Sequence, residues 1–357
     1  MARLSLTASA GGVTVGVDTH GEVHVAAAFT SDLGRPLGHL EIATTPAGYR
    51  KLLRWAQALG TPLQFGIEGT GSFGIGLTRF LRDAGCIVIE INRSNRQTRR
   101  SRGKSDPVDA EAAARALLSG EATAIAKDDQ DRVGMIRPLR VARRSAVKMR
   151  TQIANQMHSL LITAPADLRE RLRTLSVNQL VDTAGGMRAG PVTTPIAATK
   201  LALKGLALRH QLLSSEIAVL DVELTRLTND VAPALCGLPG VGTDVAGALL
   251  VAVGDNPARL RSEGSFASLC GVAPLPASSG KTSNRHRLNR GGDRLANGAL
   301  WRIVVTRLRC HQPTQEYMAR RTAQGMSKRE IVRCLKRYVA RDVYRCLVPV
   351  GELAVAA

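Results

Sequence analysis

The sequence predicts a mixed α/β sheet domain, then a helical hairpin or short coiled coil, then a mainly α-helical C-terminal region. Three observations carry this. Strand-like alternation comes first and then alternates with helical segments up to about residue 118. From Arg137 the pattern turns long, helical and basic, and Pro233 opens a last mostly helical stretch that ends near Leu347. The domain bounds read from this are 1–136, 137–230 and 231–347, with a tail at 348–357.

Element by element, Val13–Asp18 alternates and is rich in β-formers, Val23–Phe29 follows the His20-Gly21 turn, and Gly38–Thr44 is a third strand, so a three-strand meander opens the chain. Thr45-Pro46 reads as the N-cap and first position of a helix to about Leu59. Leu63–Glu68 is a strand, Gly74–Ala84 a helix, Cys86–Ile91 a strand, and the Ala-rich segment from Asp106 to about Leu118 a helix. Arg137 to about Leu161 and Pro195 to Leu227 form the pair of long helices, the second with Leu212, Ile217, Leu220, Leu224 and Leu227 near a heptad repeat. Asp182–Thr194 between them, rich in Gly, Pro and Thr, reads as a loop.

Composition narrows the function. The 357 residues carry a formal net charge of +20, which favours a polyanionic partner and salt-sensitive binding. Aromatics are only 3%, too few for broad base-stacking platforms. Cys86, Cys236, Cys270, Cys310, Cys334 and Cys346 form no CxxC pair, which argues against a zinc site and for a reducing cytoplasm. The longest apolar run, Val245–Val253, is too short to span a bilayer, and the apolar stretch in the first ten residues is too short for a signal peptide.

The carboxylates fall in a telling pattern. Asp18 ends the first strand and Glu68 ends another, each directly after apolar β-residues, where an unpaired charge is poorly solvated. Asp106 and Asp109 open a helix three residues apart, on one face. All four are expected at one pole of the sheet. Clustered carboxylates repel, hard divalent cations relieve the repulsion, and one or two Mg²⁺ ions there suit phosphoryl transfer. Alone, Asp106 and Asp109 would pass for ordinary helix-start residues.

Basic residues flank this pole. Arg93, Arg96, Arg99, Arg100, Arg102 and Lys104 precede Asp106, and Arg140, Arg144 and Lys148 recur every fourth residue along one helix face. Nucleic-acid backbone contact is expected of both groups, against the alternative of a merely solvated face. Leu238–Gly242 resembles a helix-hairpin-helix turn, in which Gly240 and Gly242 offer backbone N–H groups to a phosphate; a packing turn is the other reading. Near the C-terminus, Ser278 and Ser279 precede Gly280 and a basic run of Lys281, Arg285, Arg287, Arg290 and Arg294. Arginines can neutralise the charge that develops when a serine attacks a phosphodiester, but spacing alone does not choose between the two serines.

Taken in order, Gly16–His20, Gly66–Gly71, Ser105–Ala110, Leu238–Gly242 and Gly271–Gly280 resemble the DEDD recombinases of the bacterial insertion-sequence family 110, the bridge-RNA-guided transposases. The resemblance covers nearly the whole chain. It implies an N-terminal RuvC-like, RNase H-type domain whose acidic tetrad is Asp18, Glu68, Asp106 and Asp109. It implies a helical linker and a C-terminal transposase domain whose serine, the one directly before the Gly and therefore Ser279, becomes covalently joined to DNA. It also implies a structured guide RNA that pairs with donor and target DNA, a dimer-of-dimers assembly, and action in the bacterial cytoplasm at the nucleoid. The alternatives are a RuvC-like structure-specific endonuclease that uses water, and a non-catalytic nucleic-acid-binding protein.

Overall fold

The computed structural model describes residues 12–61, 63–91, 105–277, 286–288 and 291–348; of residues 287 and 288 only the backbone is described. The elements are β1 (Val13–Thr19), β2 (Val23–Thr30), β3 (Pro36–Ala43), α1 (Pro46–Leu59), β4 (Leu63–Glu68), α2 (Ile75–Asp83), β5 (Ile87–Ile91) and α3 (Asp106–Leu118). After them come α4 (Arg132–Ile162), α5 (Ala166–Leu172), α6 (Val177–Gly185), α7 (Pro195–Val231), α8 (Pro233–Cys236), α9 (Thr243–Val253) and α10 (Glu263–Leu269). The last are the short strands β6 (Pro274–Pro276) and β7 (His286–Leu288) and the helices α11 (Arg294–Cys310), α12 (Gln312–Ala323) and α13 (Lys328–Leu347). The fold is a RuvC-like α/β domain joined to a mainly helical part, as the sequence predicts.

The chain divides into two compact units. The described residues of 1–131, 253–266 and 348–357 make the first, and those of 132–252 and 267–347 the second. In the first, five strands run in the order β3-β2-β1-β4-β5, with the β1–β2–β3 meander antiparallel and β4 and β5 parallel to β1. Because side chains alternate along a strand, β1 and β4 each offer two faces. Val13, Val15, Val17, Phe65 and Ile67 point to the core formed with Leu52 of α1 and Leu77 and Leu81 of α2. Ala27, Phe29, Ile89 and Ile91 pack the opposite face against Ala110, Ala113, Ala114 and Leu117 of α3.

Thr45 caps α1 as the sequence predicts: its hydroxyl accepts from the Gly48 amide at 3.2 Å. In the second unit the predicted long helices are α4 and α7, joined through α5 and α6, so the expected Asp182–Thr194 loop is shorter and begins only after Gly185. The seam between them matches the predicted one at Ile217, Leu224 and Leu227 and departs from it at Leu212. Leu212 is 71% exposed, whereas Leu203, His210, Ile217 and Leu224, seven residues apart, are buried. The positions about one turn before Ile217 and Leu224 are polar, Ser214 and Asp221. Asp221 receives Arg143, and the Ser214 hydroxyl accepts from Arg150 at 3.4 Å.

Candidate active site

Asp18 and Glu68 sit on the α3 face of the sheet, two residues beyond a pair of glycines. Gly16 of β1 and Gly66 of β4 face each other in register. A Cβ on Gly16 would lie 2.1 Å from the Ala110 carbonyl oxygen and 2.2 Å from the Ala114 nitrogen. The missing side chain therefore lets α3 lie directly on the strands, and this brings the helix start, with Asp106 and Asp109, over Asp18. Asp18 and Asp109 are 8% and 3% exposed, while Asp106 is exposed and Glu68 half-buried.

The tightest grouping contains a residue the sequence reading did not assign. His20, in the turn after β1, places Nε2 3.2 Å from Asp18 Oδ2 and 3.4 Å from Asp106 Oδ1. The ligand atoms of Asp18, His20 and Asp106 lie within 4.8 Å of one another. Glu68 and Asp109 stand beside this triad and are not part of it, so the expected meeting of four carboxylates is, in its closest part, two carboxylates and an imidazole. Glu68 is tied to β1 through its carbonyl, which accepts from the Thr19 hydroxyl at 2.7 Å. Burial pushes the Asp18 carboxyl above its ordinary 3.8, and the nearby Asp109 and Asp106 push the same way against the pull of His20. Crowded carboxylates with one imidazole in reach are a fitting donor set for a hard divalent cation.

The other predicted residues are placed as follows. Arg140 does not share an exposed face with Arg144 and Lys148. It is 8% exposed, and its Nη2 lies 3.1 Å from Asp244 Oδ1 on α9. Four residues advance a helix by more than one turn, so a four-residue series drifts around the axis and its first member here meets the core. Arg144 and Lys148 are exposed. Gly240 adopts φ +82 and lies against α11, with Arg307 Nε donating to the Pro239 carbonyl at 2.9 Å. With Gly242 it borders a cavity of about 410 Å³ that Trp301 and Arg302 also line. Arg93, Arg96, Arg99, Arg100, Arg102, Lys104, Ser278, Ser279, Lys281, Arg285 and Arg290 lie outside the described residues, as does the side chain of Arg287.

The segment that contains the serines is bounded by a small hairpin. Leu275 and Pro276 of β6 pair with Arg287 and His286 of β7. Asn297 on α11 holds its base, its side-chain amide donating to the Cys270 and Gly271 backbone carbonyls at 2.9 and 3.1 Å, and the buried Lys336 ammonium donates to Asn297 Oδ1 at 2.8 Å. A Cβ on Gly292 would lie 2.1 Å from the Gly271 nitrogen, so the two ends of the segment meet backbone to backbone.

The first unit is thus a RuvC-like α/β domain with acids gathered at the strand ends under a helix start. Comparison with known proteins goes further. Residues 15–164 match the DEDD family model of the IS110 type, described as "Transposase", and residues 232–319 match the model described as "Transposase IS116/IS110/IS902 family". The chain belongs to the IS110 family of transposases. It is 32% identical over 94 residues to the insertion element IS110 uncharacterized 43.6 kDa protein of Streptomyces coelicolor, covering 26% of this chain and 23% of that one. It is 31% identical over 124 residues to the insertion element IS116 uncharacterized 44.8 kDa protein of Streptomyces clavuligerus, covering 33% and 31%. The alignments thus span less than a third of those relatives' lengths.

Proposed function

We propose that the chain is an RNA-guided DNA recombinase that cuts and rejoins strands through a serine-linked intermediate. The single observation that carries this reading is the gathering of Asp18, His20 and Asp106, with Asp109 and Glu68 beside them, at the end of a sheet of the transposase type. Asp18 and Asp106, with Glu68 and Asp109, would hold Mg²⁺, which when bound supplies charge neutralisation at a scissile phosphate. The hydroxyl of Ser279 attacks phosphorus, an Oγ–P bond forms and a P–O bond to the sugar breaks. The hydroxyl proton leaves to a base, and the departing sugar oxygen takes one up. Reversal on a partner strand rejoins the DNA. Support for the serine lies in the sequence: it falls within residues 232–319, which match the transposase model of the IS116/IS110/IS902 family. The +20 charge fits DNA and RNA as partners, in an assembly of several copies in the bacterial cytoplasm.

The test is a covalent-adduct gel with purified protein, RNA transcribed from the flanks of the gene, and labelled DNA. Wild type is expected to give a protein–DNA adduct, and Ser279→Ala none. Glu68→Gln should fold, lose the adduct, and lose most of the rise in melting temperature that Mg²⁺ gives the wild type, since a ligand of the folded state stabilises by mass action. An adduct from Ser279→Ala would overturn the nucleophile assignment, and cleavage without any adduct would favour a water-using nuclease.

A further inference from the structure

Two of the chain's four tyrosines meet on one surface of the second unit, far in sequence from the acidic site. Tyr317 of α12 and Tyr338 of α13 touch edge to face, with ring centroids 5.5 Å apart at 77°. Each carries a guanidinium over its ring: Arg320 stands 5.4 Å from the Tyr317 centroid and Arg341 5.8 Å from that of Tyr338. The two rings open a cavity of about 310 Å³ whose apolar wall is Val304, Leu335 and Val339. Tyr338 is 46% exposed, so the ring reaches solvent at the mouth.

The same helix has a row of arginines. Arg333, Arg337, Arg341 and Arg345 follow at four-residue spacing, about 6 Å of axial rise per step, and drift across the solvent face of α13 past Tyr338. The opposite face is the one in the core, through Ile331, Leu335, Val339, Ala340 and Val343. Arg333, Arg341 and Arg345 are exposed. The nearest acid on the helix, Asp342, is taken up by the buried Arg307 at 2.7 Å. An aromatic-lined cavity with a guanidinium on each ring, beside a row of cations spaced like the phosphates of an extended strand, suits unpaired bases and suits a duplex poorly. In a duplex the base faces are covered by their neighbours, and only an unpaired base can offer one to a ring.

We propose that the α12–α13 surface binds a single nucleic-acid strand, with an unpaired base seated at Tyr317 and Tyr338 and the backbone running along Arg337, Arg341 and Arg345. The strand is RNA or DNA, two sources of one chemistry. The proposal rests on nucleic acid being this chain's substrate, as the preceding reading has it, but does not involve the acidic site or the serine. The scarcity of aromatics elsewhere rules out a broad platform; the surface is local.

Fluorescence anisotropy tests it, on the full chain in EDTA, with labelled oligo(dT), oligo(rU) and a DNA duplex of matched length. No strand chemistry occurs under these conditions, so a failure here is distinct from a failure of the adduct experiment. Tyr338→Ala is expected to weaken single-strand binding at least fivefold, the lower end of what removal of one base stack gives, and Tyr338→Phe to retain it. Arg341→Gln with Arg345→Gln is expected to lower the single-strand salt slope by about 1.4, or ~0.7 for each phosphate no longer neutralised, without altering the melting temperature. The charge-matched control Arg188→Gln with Arg209→Gln, exposed elsewhere in the unit, should leave that slope unchanged. The larger loss for oligo(rU) or oligo(dT) identifies the strand. Wild-type single-strand affinity in both Tyr338→Ala and the arginine pair would overturn the proposal, as would a loss confined to the duplex.

Discussion

His24 is a buried histidine with a readable cost. It has no exposed surface, neither ring nitrogen has a hydrogen-bond partner among the described residues, and the ring lies parallel to Tyr49 at 6.0 Å. Burial holds its imidazole below the ordinary 6.5. The folded state therefore keeps it neutral while the unfolded chain takes up a proton below about pH 6.5. Its contribution is fully present above that value and is lost as pH falls through 6.5 toward the folded-state value. The melting temperature is expected to drop between about pH 7.5 and about pH 5.5, and His24→Phe, which cannot take the proton, to drop less. An equal drop in the variant would remove His24 as the cause. His20, four residues earlier in the chain, shows the limit of reading residues singly. It stands in plain view in Gly16–His20, but only the turn after β1 brings its Nε2 between Asp18 and Asp106. The acids were legible because charge after an apolar strand is anomalous; a histidine in a turn is not.

At the level of elements, the opening meander and the positions of strands and helices were legible because alternation and capping are local signals, and the Ala-rich face of α3 marks a helix that packs closely. The heptad seam of α7 was legible only in part: Ile217, Leu224 and Leu227 are buried as read, and Leu212 is not. Its true register passes through Ser214 and Asp221, polar residues that only the arginines of α4 make acceptable at a seam, so an apolar pattern drew the eye to the exposed Leu212 instead. The docking of α3 on β1 gives an element-scale prediction. Ala at position 16 would set a methyl against backbone atoms of Ala110 and Ala114 at 2.1 and 2.2 Å, where no side chain can yield. The helix must lift, carrying Asp106 and Asp109 away from Asp18. Gly16→Ala is expected to cost about 1–3 kcal/mol or more by urea unfolding, and to abolish adduct formation. Gly205→Ala in α7, where a Cβ would meet nothing within 4 Å, should instead stabilise by roughly 0.5–1 kcal/mol and serves as the control. A stable, active Gly16→Ala protein would mean that the acidic cluster does not depend on this close approach.

The molecule as a whole shows what no local pattern can announce. Residues 253–266 lie more than a hundred positions after the sheet and nonetheless belong to its unit, held by the Asn256 side chain, which accepts from the Asp128 amide at 2.8 Å and donates to the Ala126 carbonyl at 3.1 Å. Such pairings have no periodicity. Net charge, by contrast, is legible from composition, but its partition into buried and exposed cations is not. Arg140 belongs to the fold: removing it strands Asp244 with Arg302 alone and opens a space at the helix pair, so Arg140→Gln is expected to lower stability by about 1–3 kcal/mol. Arg144 and Lys148 belong to the solvent. Their replacement by Gln should leave the melting temperature where it is and reduce the slope of log affinity against log salt by about 0.9 per duplex phosphate left without its cation. The measurement is a salt titration of binding to a labelled duplex, run beside thermal melts of the same preparations. If the pair leaves the slope untouched, the exposed side of α4 is a solvated face, and the excess of +20 acts on nucleic acid through other arginines. If Arg140→Gln melts as wild type does, the buried ion pair contributes nothing to holding α4 against α9.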